Sequence, residues 1–162
     1  MRINLEEGEH IVASLPKIWG IKTGLAGVFH KSKEGFLVLT NKNIIFVTGF
    51  LGLLSEERKR FFGENKARVT KIPNYSEADL DEDISEDPNN SWIIPLSSIL
   101  DVHSVTIRKV AFMRLTFKDE NDKGKKYDFG IARSTINYPQ RQALIYDNLD
   151  WSEWIDLIKS RL

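Results

Sequence analysis

The chain has 162 residues, 41% hydrophobic and 28% charged, with 23 basic against 23 acidic side chains and so a formal net charge of zero. That composition suits one soluble globular domain, and a chain this long buries roughly 70% of its unfolded surface without needing a disulfide or metal staple. There is no cysteine, which excludes disulfide frameworks, zinc–thiolate and iron–sulfur centres and Cys nucleophiles. The balanced charge argues against a wholly basic nucleic-acid binder.

The opening Met1-Arg2-Ile3-Asn4-Leu5-Glu6-Glu7 puts charge where a secretory peptide carries its apolar stretch. Together with the missing cysteines, this sets a cytoplasmic location as the expectation. Gly8 to Pro16 reads as a first strand closed by Pro16, followed by a long connection holding Gly20, Gly24 and Gly27. The apolar run from Gly35 to Leu54 is interrupted by Thr40-Asn41-Lys42-Asn43, which a bilayer core would penalise. It divides instead into two strands, Gly35–Thr40 and Asn43–Thr48, around an Asn41-Lys42 hairpin turn.

An insertion spans residues 50–90. Its first part, Leu53 to Phe62, holds a short helix with Ser55 as N-cap and Glu56 and Glu57 in the first turn. Glu77 to Asp87 carries seven acids and no base, and reads as a mobile, disordered loop. Strands resume with Trp92–Leu96, Ile99–Ile107, Ala111–Lys118 and Tyr127–Ile131, seven in all. Arg108-Lys109-Val110 and Asp119–Gly124 are the intervening turns. In the tail, Pro139 and Gln140–Leu149 have helical composition, and Asp150 with Glu153 has the shape of a capping box. Trp151, Trp154, Ile155, Ile158 and Leu162 then share one face of a helix over 151–162. The expected architecture is mainly β: a single domain over 1–162, with a seven-stranded antiparallel barrel or sandwich capped by the C-terminal helix.

That order of elements, and three stretches of sequence, resemble the pleckstrin-homology-like superfamily. Gly35-Phe-Leu-Val-Leu-Thr-Asn-Lys-Asn-Ile-Ile-Phe-Val-Thr-Gly49 is similar to the G-x-L-x-L-T-x-x-R-L-I-F hairpin of GRAM and bacterial-type PH domains. Ile94-Pro-Leu-Ser-Ser-Ile-Leu-Asp-Val102 is similar to their I-P-L-x-x-I-x-x-V element, and Gly8-Glu9 to their usual opening. The likeness covers the chain outside Phe50–Asn90, and it implies the fold and a non-catalytic binding role. Asn43 stands where the family often has Arg, and Lys17, Lys22, Lys31 and Lys33 lack the arrangement of a phosphoinositide site. That site is therefore not carried over.

Several patterns invite chemistry. Asp79, Asp81 and Asp83 alternate as in a calcium loop, but Ile84, Glu86 and Asn90 occupy the places where an EF-hand needs Gly, an apolar residue and Glu. His10, His30 and His103 fit no metal spacing, so neither metal nor cofactor is expected. No nucleophile elbow, phosphate loop or dinucleotide fingerprint occurs. Charge, though balanced, is segregated: from Val105 to Ile145 there are nine Lys or Arg against four Asp or Glu. Arg114, Lys118 and Lys126 should project from neighbouring strands, with Arg108 at a turn, as a basic stripe for anionic lipid heads, an acidic partner or nucleic-acid phosphates, the alternative being a solvated sheet face or one partly neutralised by the chain's own acidic loop. Phe50-Leu51-Gly52-Leu53-Leu54 with Arg58-Lys59-Arg60-Phe61-Phe62 has the composition of a segment dipping into an anionic membrane, of a helix packed over a barrel mouth, or of a homo-oligomer contact. The expected role is a non-enzymatic module meeting an anionic membrane surface or a protein partner, with a self-assembling scaffold as the rival.

Overall fold

The computed structural model describes residues 5–24, 32–137 and 141–162; Gly27, His30, Lys31, Pro139 and Gln140 lie outside them. Eight strands form: β1 (Ile11–Lys22), β2 (Lys33–Thr40), β3 (Asn43–Thr48), β4 (Ser91–Pro95), β5 (Ile99–Ile107), β6 (Val110–Lys118), β7 (Gly124–Ile136) and β8 (Gln142–Tyr146). Seven of them make one antiparallel sheet in the order β4-β3-β2-β1-β7-β6-β5, curled into a half-barrel, while β8 pairs with the far end of β7. Among the described residues three α-helices accompany them: α1 (Ser55–Phe62), α2 (Glu77–Glu86) and α3 (Ser152–Lys159).

The β2–β3 hairpin forms where the sequence places it, with Leu39 opposite Ile44 and Gly35 opposite Thr48. Its turn is made by a side chain and not by a positive φ at Asn41: the Thr40 hydroxyl accepts the Lys42 and Asn43 N–H groups at 3.2 and 2.8 Å. β1 does not stop at Pro16. It bulges between Leu15 and Ile18, with Lys17 at φ 61°, and runs on to Lys22, so the proline sits where the ladder is already interrupted.

The segment expected to be a mobile acidic loop is α2. Ser76 caps it through the Asp79 N–H, and Asp79 returns the bond to the Ser76 N–H. Leu80 and Ile84, one turn apart, pack on Leu5, Ile11, Val38, Ile45 and Val47. These last three point away from the barrel interior, so β2 and β3 are buried on both faces. The acids then diverge: Asp81 Oδ1 accepts the Leu5 N–H at 3.2 Å and Asp83 Oδ2 accepts the Tyr75 hydroxyl at 2.5 Å. Burial, then that bond, pushes the Tyr75 phenol well above its ordinary range. Among the described residues no three metal-capable side chains converge, there or elsewhere.

Two further expectations change at the tail. Residues 142–146, read as helix, are strand β8, with Ala132 opposite Tyr146 and Ile136 opposite Gln142. The capping box before α3 does not form: Asp150 accepts the Ser152 N–H, while Glu153 reaches across to the Val69 N–H. Nor does Ser55 cap α1, whose N-cap is Leu54. α3 buries Trp154, Ile155 and Ile158 behind Trp151, while Leu162 lies beyond its end and exposed. The core they join takes in both sheet halves and also Phe61, Phe62, Ala67 and Ile72 of the insertion.

The β5–β6 turn is a two-residue link, Arg108-Lys109, with both residues at positive φ (50° and 67°). Left-handed backbone costs a side-chain-bearing residue about 1–2 kcal/mol. Lys109→Gly is expected to stabilise the protein by about 0.5–1 kcal/mol, net of the glycine's larger unfolded-state entropy. Thermal denaturation checks this, and an unchanged or lower midpoint refutes it.

Candidate functional site

The nine residues that the sequence singles out separate into two groups. Arg58, Lys59, Arg60, Phe61 and Phe62 lie on α1. Arg58 pairs with Asp147 (3.3 Å), Lys59 with Glu56 (3.4 Å), and Arg60 is exposed. Phe61 and Phe62 are core residues, 1% and 8% exposed, so they are not available to a membrane or partner. This is the helix packed on the barrel with its cations outward.

The expected basic stripe is largely compensated. Arg114 makes a two-point contact with Asp128 (Nε–Oδ1 2.7 Å, Nη2–Oδ2 2.9 Å), the carboxylate being buried beneath it. Lys118 pairs with Asp122 at 3.2 Å, leaving Lys126 exposed on β7 and Arg108 in its turn. His103 stands opposite Arg114 on β5, its Nδ1 an ion-pair contact 2.7 Å from Asp101 Oδ2 without hydrogen-bond alignment.

A different cluster forms at the end of the half-barrel away from α3. Antiparallel pairing brings together the end of β1 and the starts of β2, β4 and β7, and with them Lys22, Lys33, Trp92, Lys125 and Tyr127. Trp92 stacks on Phe46 (centroids 4.6 Å) and leans on Tyr127 (4.6 Å); Phe117 meets Tyr127 edge-on at 5.0 Å. Gly20 makes room for this wall, since a Cβ there would sit 2.6 Å from the Trp92 ring.

Lys22 lies over that wall, its Nζ 5.4 Å from the Trp92 centroid and 5.8 Å from Tyr127. Burial, and then the charges of Lys33 and Lys125, hold its amine below the ordinary lysine range. Lys33 donates to Asn90 Oδ1, which is neutral. Lys125 ion-pairs with Asp119 Oδ2 at 3.8 Å, while Asp119 Oδ1 accepts the Asn121 and Lys123 N–H groups, both at 2.9 Å. Three cations therefore share one rim, backed by flat aromatic surface, and Asp119 is the one carboxylate ion-paired with any of them among the described residues. Such a rim can hold an anion, since a negative group would offset the burial and, after it, the like-charge repulsion that depress Lys22.

Lys22 and Lys33 are visible in the sequence, but only as scattered lysines flanking the first long connection. Lys125 is almost a hundred positions away, and nothing in local pattern links them. No protein-family model matches the chain, and no curated protein matches it at a significant level.

Proposed function

We propose that this chain is a non-catalytic, PH/GRAM-like binding module whose barrel mouth receives an anionic group, the phosphate of a membrane lipid. The supporting observation is the convergence of Lys22, Lys33 and Lys125 without a matching set of carboxylates. Like charges gathered at a half-buried rim oppose folding, and a bound group of opposite sign would offset that cost. The Gly35–Gly49 and Ile94–Val102 likeness to GRAM and bacterial-type PH domains supports the same reading.

The test is flotation of the full chain with phosphatidylcholine vesicles, with and without phosphatidylserine, at low and physiological salt. Binding is expected to anionic vesicles only, and to weaken with salt. Inorganic phosphate in excess competes if a free phosphate satisfies the mouth, and leaves flotation unchanged if the lipid surface is required. Lys22→Met keeps the stem on Trp92 and removes the charge. At about 1 kcal/mol per cation near a charged surface it should cost about fivefold in vesicle affinity, and roughly thirtyfold when combined with Lys125→Met.

Stability should move the other way. The folded state holds the Lys22 proton less tightly than the unfolded chain does, so this lysine opposes folding below its shifted pKa. The opposition fades as pH rises toward the ordinary lysine value. Lys22→Met should therefore melt no lower than wild type at neutral pH. Lost affinity with lost stability would point to a structural lysine and sink the proposal.

The self-assembling scaffold is favoured by one feature, the two open sheet edges at β4 and β5. Solution mass decides it, a monodisperse monomer counting against it. Deleting residues 50–90 is not a clean probe, since Phe61, Phe62, Leu80 and Ile84 would leave the core.

A further inference from the structure

Four of the large apolar side chains left exposed lie in two neighbouring segments: Phe50 (64%) and Leu54 (72%) between β3 and α1, and Leu144 (56%) and Ile145 (54%) on β8. Two contacts place those segments side by side. Arg141, just before β8, puts its guanidinium 4.8 Å from the Phe50 ring centroid, and Asp147, just after β8, receives Arg58 of α1. Residues 50 and 58 thus meet the two ends of β8. Among the described residues β8 pairs only with β7.

The rim of this strip is cationic. Lys17, held at the β1 bulge, lies 5.1 Å from the Phe50 centroid on a second approach to the ring. Asp147 is shared by Arg58 and Arg133, and Glu34 is buried under Arg141, so with Lys17 four cations face two largely covered carboxylates, while the exposed Glu56 of α1 is paired with Lys59. In water such a ring gains only about 0.5–1 kcal/mol from a cation and still leaves its apolar surface exposed. At a bilayer boundary the ring enters the acyl region while the cations stay with the headgroups. The strip also joins the mouth: Phe50, Gly49 and Arg141 line a cavity of about 430 Å³ whose other wall includes Lys33 and Asn90.

We infer that Phe50, Leu54, Leu144 and Ile145 form an insertion face that seats the module on an anionic bilayer and turns the lysine mouth toward the headgroups. Charge complementarity selects the occupant: Lys17 has no ion pair among the described residues, and Arg58 and Arg133 share the single Asp147 carboxylate, which leaves a positive excess for anionic headgroups. This rests on the membrane reading above and adds an apolar contact that is independent of the mouth.

The two contacts differ in their response to salt, which separates their failures. With phosphatidylcholine/phosphatidylserine vesicles, Phe50→Ser combined with Leu144→Ser should lower affinity roughly tenfold or more at both salt concentrations, while the Lys22→Met loss shrinks as salt rises. Phe50→Trp should add fluorescence that brominated acyl chains quench, beyond any change in wild type. An unaltered affinity in the serine variant, with no added quenching, overturns the insertion face and leaves the mouth standing. A loss in the serine variant with none in Lys22→Met supports the insertion face and removes the mouth. No wild-type binding removes both, and a wild-type dimer that the serine substitutions split assigns the strip to a second copy and overturns the inference. Unchanged melting of the serine variant, whose replaced side chains are exposed, confirms that it is folded.

Discussion

Trp154→Ala should cost about 3–5 kcal/mol of folding free energy, the range for emptying a large buried aromatic site. The side chain is wholly buried, and its indole N–H donates to the Arg68 carbonyl at 3.1 Å, so the substitution both opens a cavity and strips a buried acceptor. Few positions tie together as many parts of the chain. Trp154 belongs to α3, Arg68 to the strand-like segment after α1, and Ala67 beside it donates to the Asp150 carbonyl. The neighbouring Trp151 carries the tie onward, its N–H donating to the Ala111 carbonyl at the start of β6.

For a chain of this length the loss lowers the melting midpoint by roughly 6–20 °C. Trp154→Phe separates the two causes. It keeps much of the volume and forfeits the hydrogen bond, and should cost about 1–3 kcal/mol. Urea titration measures both variants. A Trp154→Ala cost below about 1 kcal/mol would mean that α3 is an appendage and not the plug of the barrel.

What local pattern could reveal in this chain was the hairpin, the β5 and β6 strands and the α3 face. Each writes its burial into its own spacing: Met113, Leu115 and Phe117 alternate with Arg114 and Thr116, and Trp151, Trp154, Ile155 and Ile158 follow the helical turn. The acidic composition of Glu77–Asp87 conceals α2, because the helix depends on two apolar side chains and a cap. Ser76 three residues before Asp79, with Leu80 and Ile84 one turn apart, was the available signal. The unbroken apolar hairpin was another, since a strand pair greasy on both faces requires a cover.

β8 was misread for a different reason. Helix-forming composition in residues 142–146 yields to the far half of β7, whose backbone groups past residue 131 would otherwise face water without a partner. The mouth was illegible because its lysines meet only through strand register. Even a correct strand list does not say that β1 lies between β2 and β7, and that adjacency is what sets Lys22 beside both Lys33 and Lys125.

Arg114 provides the clearest separation of architecture from function. Arg114→Leu should cost about 3–5 kcal/mol, because it leaves the Asp128 carboxylate, 4% exposed, without its guanidinium. The pair is held at two points, and Asp128 keeps the Arg114 guanidinium firmly protonated. Removing both charges in Arg114→Leu/Asp128→Leu should recover stability to within about 1 kcal/mol of wild type, since apolar replacements of a buried pair are often neutral or better. The cycle is read by urea titration of the two single variants and the double. If the double variant remains as unstable as Arg114→Leu, the loss comes from packing on the sheet face and not from a stranded carboxylate. The same double variant also tests the site: with Arg114 spent on Asp128, its removal should leave anionic-vesicle binding unchanged while Lys22→Met reduces it. Equal losses from the two would return the binding surface to the β6–β7 face and away from the mouth.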